Sequence, residues 1–132
     1  MTVLLILALA LDLSSIRNEP NPERRSELAL ENANTALDAA KDAYNAGDNA
    51  KMQAALDEVA QSAELAYDAL ASQPHRNTKA FKKAEQRTHE LLRRLEGFRQ
   101  LVDFDDRAKV DKIHERVAAV NDNLLNGIMK KK

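Results

Sequence analysis

The chain holds 132 residues, with 20 Lys and Arg against 21 Asp and Glu, so its net charge is −1 and a uniformly basic nucleic-acid binder is excluded. It has no Cys, which excludes disulfides, thiol nucleophiles and thiolate metal sites. Only 3 Gly and 3 Pro stand beside 44% hydrophobic residues, the balance of a single long-helix domain large enough to bury a core.

Val3 to Leu11 is an unbroken apolar run that Asp12 ends. A membrane-spanning helix needs roughly 20 apolar residues. This run is about half that and matches the apolar stretch of an export signal. Ala8-Leu9-Ala10 has the small-x-small form of a cleavage site. Met1-Thr2 lacks the basic residues that normally precede such a run. That departure leaves two other readings: a helix packed on the domain or touching lipid, and a true start that lies upstream. Residues 1–13 are therefore read as a signal-like segment and 14–21, with its Pro and Asn, as a linker.

From Asn21 onward, apolar residues recur at alternating steps of three and four. Asn21-Pro22 pairs an N-cap with Pro at the first helical position, opening a helix over about 22–46 whose stripe is Leu30, Ala33, Leu37, Ala40 and Tyr44. Gly47 supplies the left-handed residue that closes it, and Asp48 or Asn49 caps a second helix over about 49–72. Its stripe is Met52, Leu56, Val59, Ala63, Ala66 and Leu70. After the break at Ser72–Asn77, a third helix over about 78–102 carries Phe81, Ala84, Thr88, Leu91, Leu95, Phe98 and Val102. Gly97 inside it implies a close neighbour or a bend. Asp103-Phe104-Asp105-Asp106 makes a turn, and a fourth helix over about 105–127 carries Val110, Ile113, Val117, Val120, Leu124 and Ile128.

Each stripe needs a partner, because none of these helices can bury its apolar side alone. The expected fold is all-α: an antiparallel up-down-up-down four-helix bundle over 22–129, followed by a basic tail at 130–132. Two long hairpins pairing between chains as a homodimer is the alternative, since heptad stripes serve both. The Ala-rich stripes of the first two helices predict close approach of their backbones.

The near-zero net charge hides a segregation. Residues 73–102 hold eight basic side chains, Arg76, Lys79, Lys82, Lys83, Arg87, Arg93, Arg94 and Arg99, against three acidic ones, while residues 21–72 are acidic. Basic helix 3 can pair with its acidic neighbours, with Glu90–Arg94 and Asp105–Lys109 as local i,i+4 pairs. Alternatively, residues 76–99 form a patch for an anionic partner. Nucleic acid is disfavoured because no exposed aromatics interleave with the cations and Phe81 and Phe98 fall on the core stripe.

Signals for chemistry are few. His75, His89 and His114 stand at a break or at stripe margins, and the paired Glu-x-x-His pattern of di-metal bundles is missing. No Gly-rich phosphate loop or Gly-x-Ser-x-Gly turn occurs. Thr88, a polar residue on an apolar seam, is expected to bond a carbonyl one turn back or to set register. No catalytic residue, cofactor or metal site is expected, and the chain is read as a non-enzyme.

Tyr44-x-x-Gly47-Asp48-x-x-Lys51 resembles the turn of a tetratricopeptide-type helix pair, in a single copy with helices about twice that repeat's length. Arg25–Ala33, Arg93–Phe98 and Asp122–Met129 resemble segments of small uncharacterised exported helical proteins of bacteria. That resemblance implies a periplasmic, secreted or envelope-associated helical domain, carries no activity, and assigns no functional residue. The resulting expectation is a structural or protein-binding role with a protein or envelope component as partner. Its N-terminal segment would meet the membrane during export. The alternative is a cytoplasmic polyanion binder acting through helix 3.

Overall fold

A computed structural model describes residues 13–129. The apolar run 3–11, with its cleavage-like site, and the Lys130–Lys132 tail lie outside the described residues. Residues 13–17, inside the stretch read as signal-like segment and linker, are helical, and Ile16 is buried in the core. Four long helices follow: α1 (Pro22–Asn45), α2 (Asn49–Ala71), α3 (Thr78–Leu101) and α4 (Phe104–Met129). The fold is an all-helical bundle.

Local chemistry sets the helix ends. Asn21 Oδ1 accepts from the Arg24 amide at 3.0 Å, with Pro22 at the first helical position. Gly47 has φ 75°, and the Gly47 amide donates to Tyr44 O while the Asp48 amide donates to Ala43 O at 2.9 Å. This double bond is the Schellman closure, which needs a residue without a Cβ penalty at the left-handed position. Asp48 then caps α2 by accepting from the Lys51 amide at 3.1 Å, and Asn77 caps α3 by accepting from the Ala80 amide at 3.1 Å. Asp105 and Asp106 sit in the first turn of α4, where carboxylates meet the positive end of the helix dipole.

The apolar stripes close on one another. Leu37, Val59, Leu95 and Val117, one from each helix, are all fully buried. Burying each large apolar side chain contributes roughly 1.5–3 kcal/mol. Tyr44 and Ile128 are half-buried at the edges of the core. The α1–α2 pair is the most closely packed, lined by Ala33, Ala36, Ala40, Ala63 and Ala66.

Cross-helix bonds give the register. Asn32 on α1 meets Ser62 on α2, the two standing equidistant from Gly47. Between α3 and α4, Arg99 meets Asp111 near their turn and Thr88 meets Asn121 farther away. Between α1 and α3, Glu27 meets Lys83 and Asp38 meets Arg94, so these bonds climb both helices together. Asp57–Lys109 and Glu64–Arg116 do the same between α2 and α4. These bonds link α1 to α2 and α3, and α4 to α2 and α3.

Of the two readings of Gly97, a close neighbour or a bend, the first is removed. A Cβ built on Gly97 meets nothing within 4 Å, so no close neighbour requires that glycine. The close approach occurs at Gly127, where a Cβ would run into the Phe81 ring. Phe81 is buried and stacks edge-on against Tyr67 with centroids 6.4 Å apart. Gly127 therefore lets the end of α4 pass over that ring.

Candidate functional site

The eight basic residues of 76–99 do not share one face. Lys83 turns toward α1 and pairs with Glu27 at 3.2 Å. Arg94 also reaches α1, donating to Asp38 Oδ1 at 2.5 Å and to Asn34 Oδ1 at 2.7 Å. Arg99 points the other way and meets Asp111 on α4 at 2.6 Å. Lys79, Lys82 and Arg93 are exposed, and Arg87 is half-buried beside α1. Arg76 sits in the loop before α3 and lines a cleft beside Pro74. The linear charge run is thus split around the helix, and three of its members are engaged in ion pairs between helices.

Those ion pairs also replace the local pairs expected from sequence. Arg94 bonds Asp38 rather than Glu90, and Lys109 bonds Asp57 at 2.8 Å rather than Asp105. A helical i,i+4 pair stabilises by only tenths of a kcal/mol, so a better-placed carboxylate on the neighbouring helix wins. Arg116 binds Glu64 through two nitrogens, at 3.0 and 2.7 Å. This bidentate contact pushes the Arg116 pKa above its ordinary value, and the Asp111 bond does the same for Arg99.

Two polar networks lie inside the bundle, one in each hairpin. Asn32 Nδ2 donates to Ser62 Oγ at 2.9 Å and to Glu58 Oε2 at 2.8 Å. Asn121 Nδ2 donates to Thr88 Oγ1 at 2.8 Å and to the Glu85 carbonyl at 3.0 Å. Thr88 in turn donates to the same Glu85 carbonyl at 3.0 Å, one turn back as the seam position implies. Sequence reading singled out Thr88 but missed Asn32, Ser62 and Asn121. The available signal was position: Asn121 lies four residues after Val117 and three before Leu124, within the α4 stripe.

The clefts are open. One of about 180 Å³ lies between α1 and α3, lined by Ser26, Lys79, Lys83 and Arg87 together with Glu23 and Glu27. Asn77 and Glu23 share a short hydrogen bond at its rim. A second, of about 430 Å³, lies under the loop joining α2 to α3 and is lined by Tyr67, Arg76, Asn123 and Asn126. His75 and His89 are exposed and His114 is half-buried. Among the described residues, no group of three His, Asp or Glu side chains could hold a metal ion.

At the opposite end of the bundle, Tyr44 packs edge-on against Phe98 with centroids 6.0 Å apart, and its hydroxyl accepts from the Asp103 amide at 3.1 Å. Desolvation by burial, then the negative charge of Asp103, raises the phenol pKa above 10.0. This contact ties the turn between α3 and α4 to the end of α1. No family model, curated protein or solved structure matches the chain.

Proposed function

We propose that this protein is a non-enzymatic helical domain of the cell envelope, exported to the periplasm or secreted, with a structural or protein-binding role. Its chain forms an antiparallel up-down-up-down four-helix bundle. The observation that carries the reading is the use made of the interior polar groups. Asn32, Ser62, Thr88 and Asn121 bond one another in pairs across helix seams. Their hydrogen bonds fix register, the best-attested use of buried polar groups in helical assemblies. The address rests on the apolar run Val3–Leu11, whose length matches an export signal.

Fractionation of the native host with mass spectrometry of the recovered chain tests the proposal. Recovery from the periplasmic, membrane or secreted fraction is the expected result. An intact chain beginning at Met1 in the soluble cytoplasmic fraction contradicts it.

A further inference from the structure

We propose that the cleft under the loop joining α2 to α3 binds a neutral saccharide of one or two rings, held by the carboxamides of Gln73, Asn123 and Asn126. Such a site goes beyond the envelope reading and is independent of the compartment that holds the protein.

The cleft has a volume of about 430 Å³, within the roughly 300–1,000 Å³ of small-molecule sites. Gln73 lines it from the loop. Asn123 and Asn126 line it from α4, where a spacing of three makes them neighbours on one helix face. These carboxamides have no other use in the fold. Gln73 Nε2 is buried and meets no hydrogen-bond acceptor. A buried donor left unpaired forfeits its water without compensation, so native folds rarely keep one. Asn123 and Asn126 are exposed, and their side chains bond no other described residue. Asn is also a weak helix former, so helix propensity does not account for two of them near the end of α4. Inside the bundle the contrast is plain, since Asn32 and Asn121 each spend their amide on a neighbouring helix. The smaller cleft between α1 and α3 offers no such set, because its carboxylates Glu23 and Glu27 already take Asn77 and Lys83.

The donor set selects the ligand. A carboxamide presents two N–H donors beside a carbonyl acceptor, the complement of hydroxyls that both donate and accept. Three carboxamides around one cleft suit the run of hydroxyls on a sugar ring. A sugar oxygen also supplies the acceptor that Gln73 Nε2 lacks. Half-buried Tyr67, braced edge-on by Phe81 with centroids 6.4 Å apart, adds an aromatic ring to the lining. Such a ring gives the C–H face of a pyranose an apolar surface to pack on. Among the described residues lining the cleft, Arg76 alone is charged. No carboxylate is present to draw a cation, and one guanidinium does not make a polyanion site. A neutral, hydroxyl-rich molecule fits this balance.

The test titrates the full, isotopically labelled chain with N-acetylglucosamine, its β-1,4-linked dimer, maltose and glucuronate, following side-chain amide resonances by NMR. Saturable shifts centred on Gln73, Asn123 and Asn126 are expected with at least one of the three neutral sugars. Asn123→Leu with Asn126→Leu should weaken that binding at least about tenfold. Gln73→Leu should weaken it too while leaving the thermal melt unchanged or higher, because the unpaired donor is gone. A merely structural Gln73 would instead lower the melt and spare the binding. Ser26→Ala, in the other cleft, should leave binding intact, and unchanged circular dichroism shows that the variants fold. Absence of a saturable shift with every neutral sugar up to about 50 mM, far past a weak Kd of about 1 mM, overturns the proposal. So does a response to glucuronate and acetate alone, which marks an anion site at Arg76. Neutral-sugar binding that survives the three carboxamide substitutions overturns it as well.

Discussion

At the residue scale, the two helical glycines of the second hairpin have opposite consequences. Gly97 has open space where a Cβ would go, so Gly97→Ala should raise stability by about 0.5–1 kcal/mol through helix propensity. Gly127→Ala drives a methyl into the buried Phe81 ring. It should cost about 1–3 kcal/mol as an overpacking change. Urea titration of both variants checks the pair, and equal effects would refute the packing at Gly127. Tyr44 gives a pH signature. A phenol whose folded-state pKa lies above 10.0 favours the folded state while neutral. Its contribution is complete below pH 10 and is lost as pH climbs from there through the folded value. Thermal melts should therefore fall more steeply above pH 10 for the parent than for Tyr44→Phe.

Residue-level legibility followed how local each interaction is. The cap at Asn21, the cap at Asp48 (one of two neighbouring candidates) and the closure at Gly47 were readable because each bonds backbone within a few residues. The partners of Arg94 and Lys109 were not, because Asp38 and Asp57 are more than fifty residues away in sequence. Gly127 gave no local signal at all, since the ring that needs it belongs to another helix.

At the element scale, the periodic stripes place the core of α3 and α4 and leave out Ala29, Ala36, Ala43, Ala60 and Ala69 on the first two helices, and identical 3.5-residue spacing on four helices does not say which helix lies beside which. That choice is made by groups off the stripes: the Glu27–Lys83 and Asp38–Arg94 pairs on one wall, and Asp57–Lys109 and Glu64–Arg116 on the other. Being partly exposed, each pair is worth less than about 1 kcal/mol, so they select an arrangement more than they stabilise it. The Asn121–Thr88 bond is a stronger specifier. Asn121→Ala should cost about 1–3 kcal/mol because it removes the donor to the buried Thr88 hydroxyl. Replacing both by apolar residues of similar shape should restore most of that loss, and a double-mutant cycle in denaturant reads the coupling. The close α1–α2 seam predicts that Ala63→Leu costs about 1–3 kcal/mol by overpacking. Leu95→Ala, fully buried on α3, should cost about 2–5 kcal/mol.

At the scale of the whole molecule, the eight-residue basic run of 76–99 shows what linear reading loses. Charge counted along a chain takes no account of direction, and a helix distributes successive residues around its axis. Folding sends Lys83 and Arg94 toward α1 and Arg99 toward α4, so three of the eight cations pair with carboxylates on neighbouring helices. The tie between the Tyr44 hydroxyl and the Asp103 amide, fifty-nine residues apart, likewise appears only once the helices are stacked.

The proposed bundle turns on one arrangement: two hairpins side by side in one chain, with α1 beside α3 in the same sense. Because the chain has no Cys, nitroxide labels can be placed cleanly at Glu27→Cys with Lys83→Cys. Dipolar electron resonance should return one short distance, set by neighbouring helix axes about 8–10 Å apart plus the label arms, unchanged when excess unlabelled protein is added. A distance longer by about 20 Å, as opposed helices would give, or one that vanishes on dilution with unlabelled chain, would contradict it.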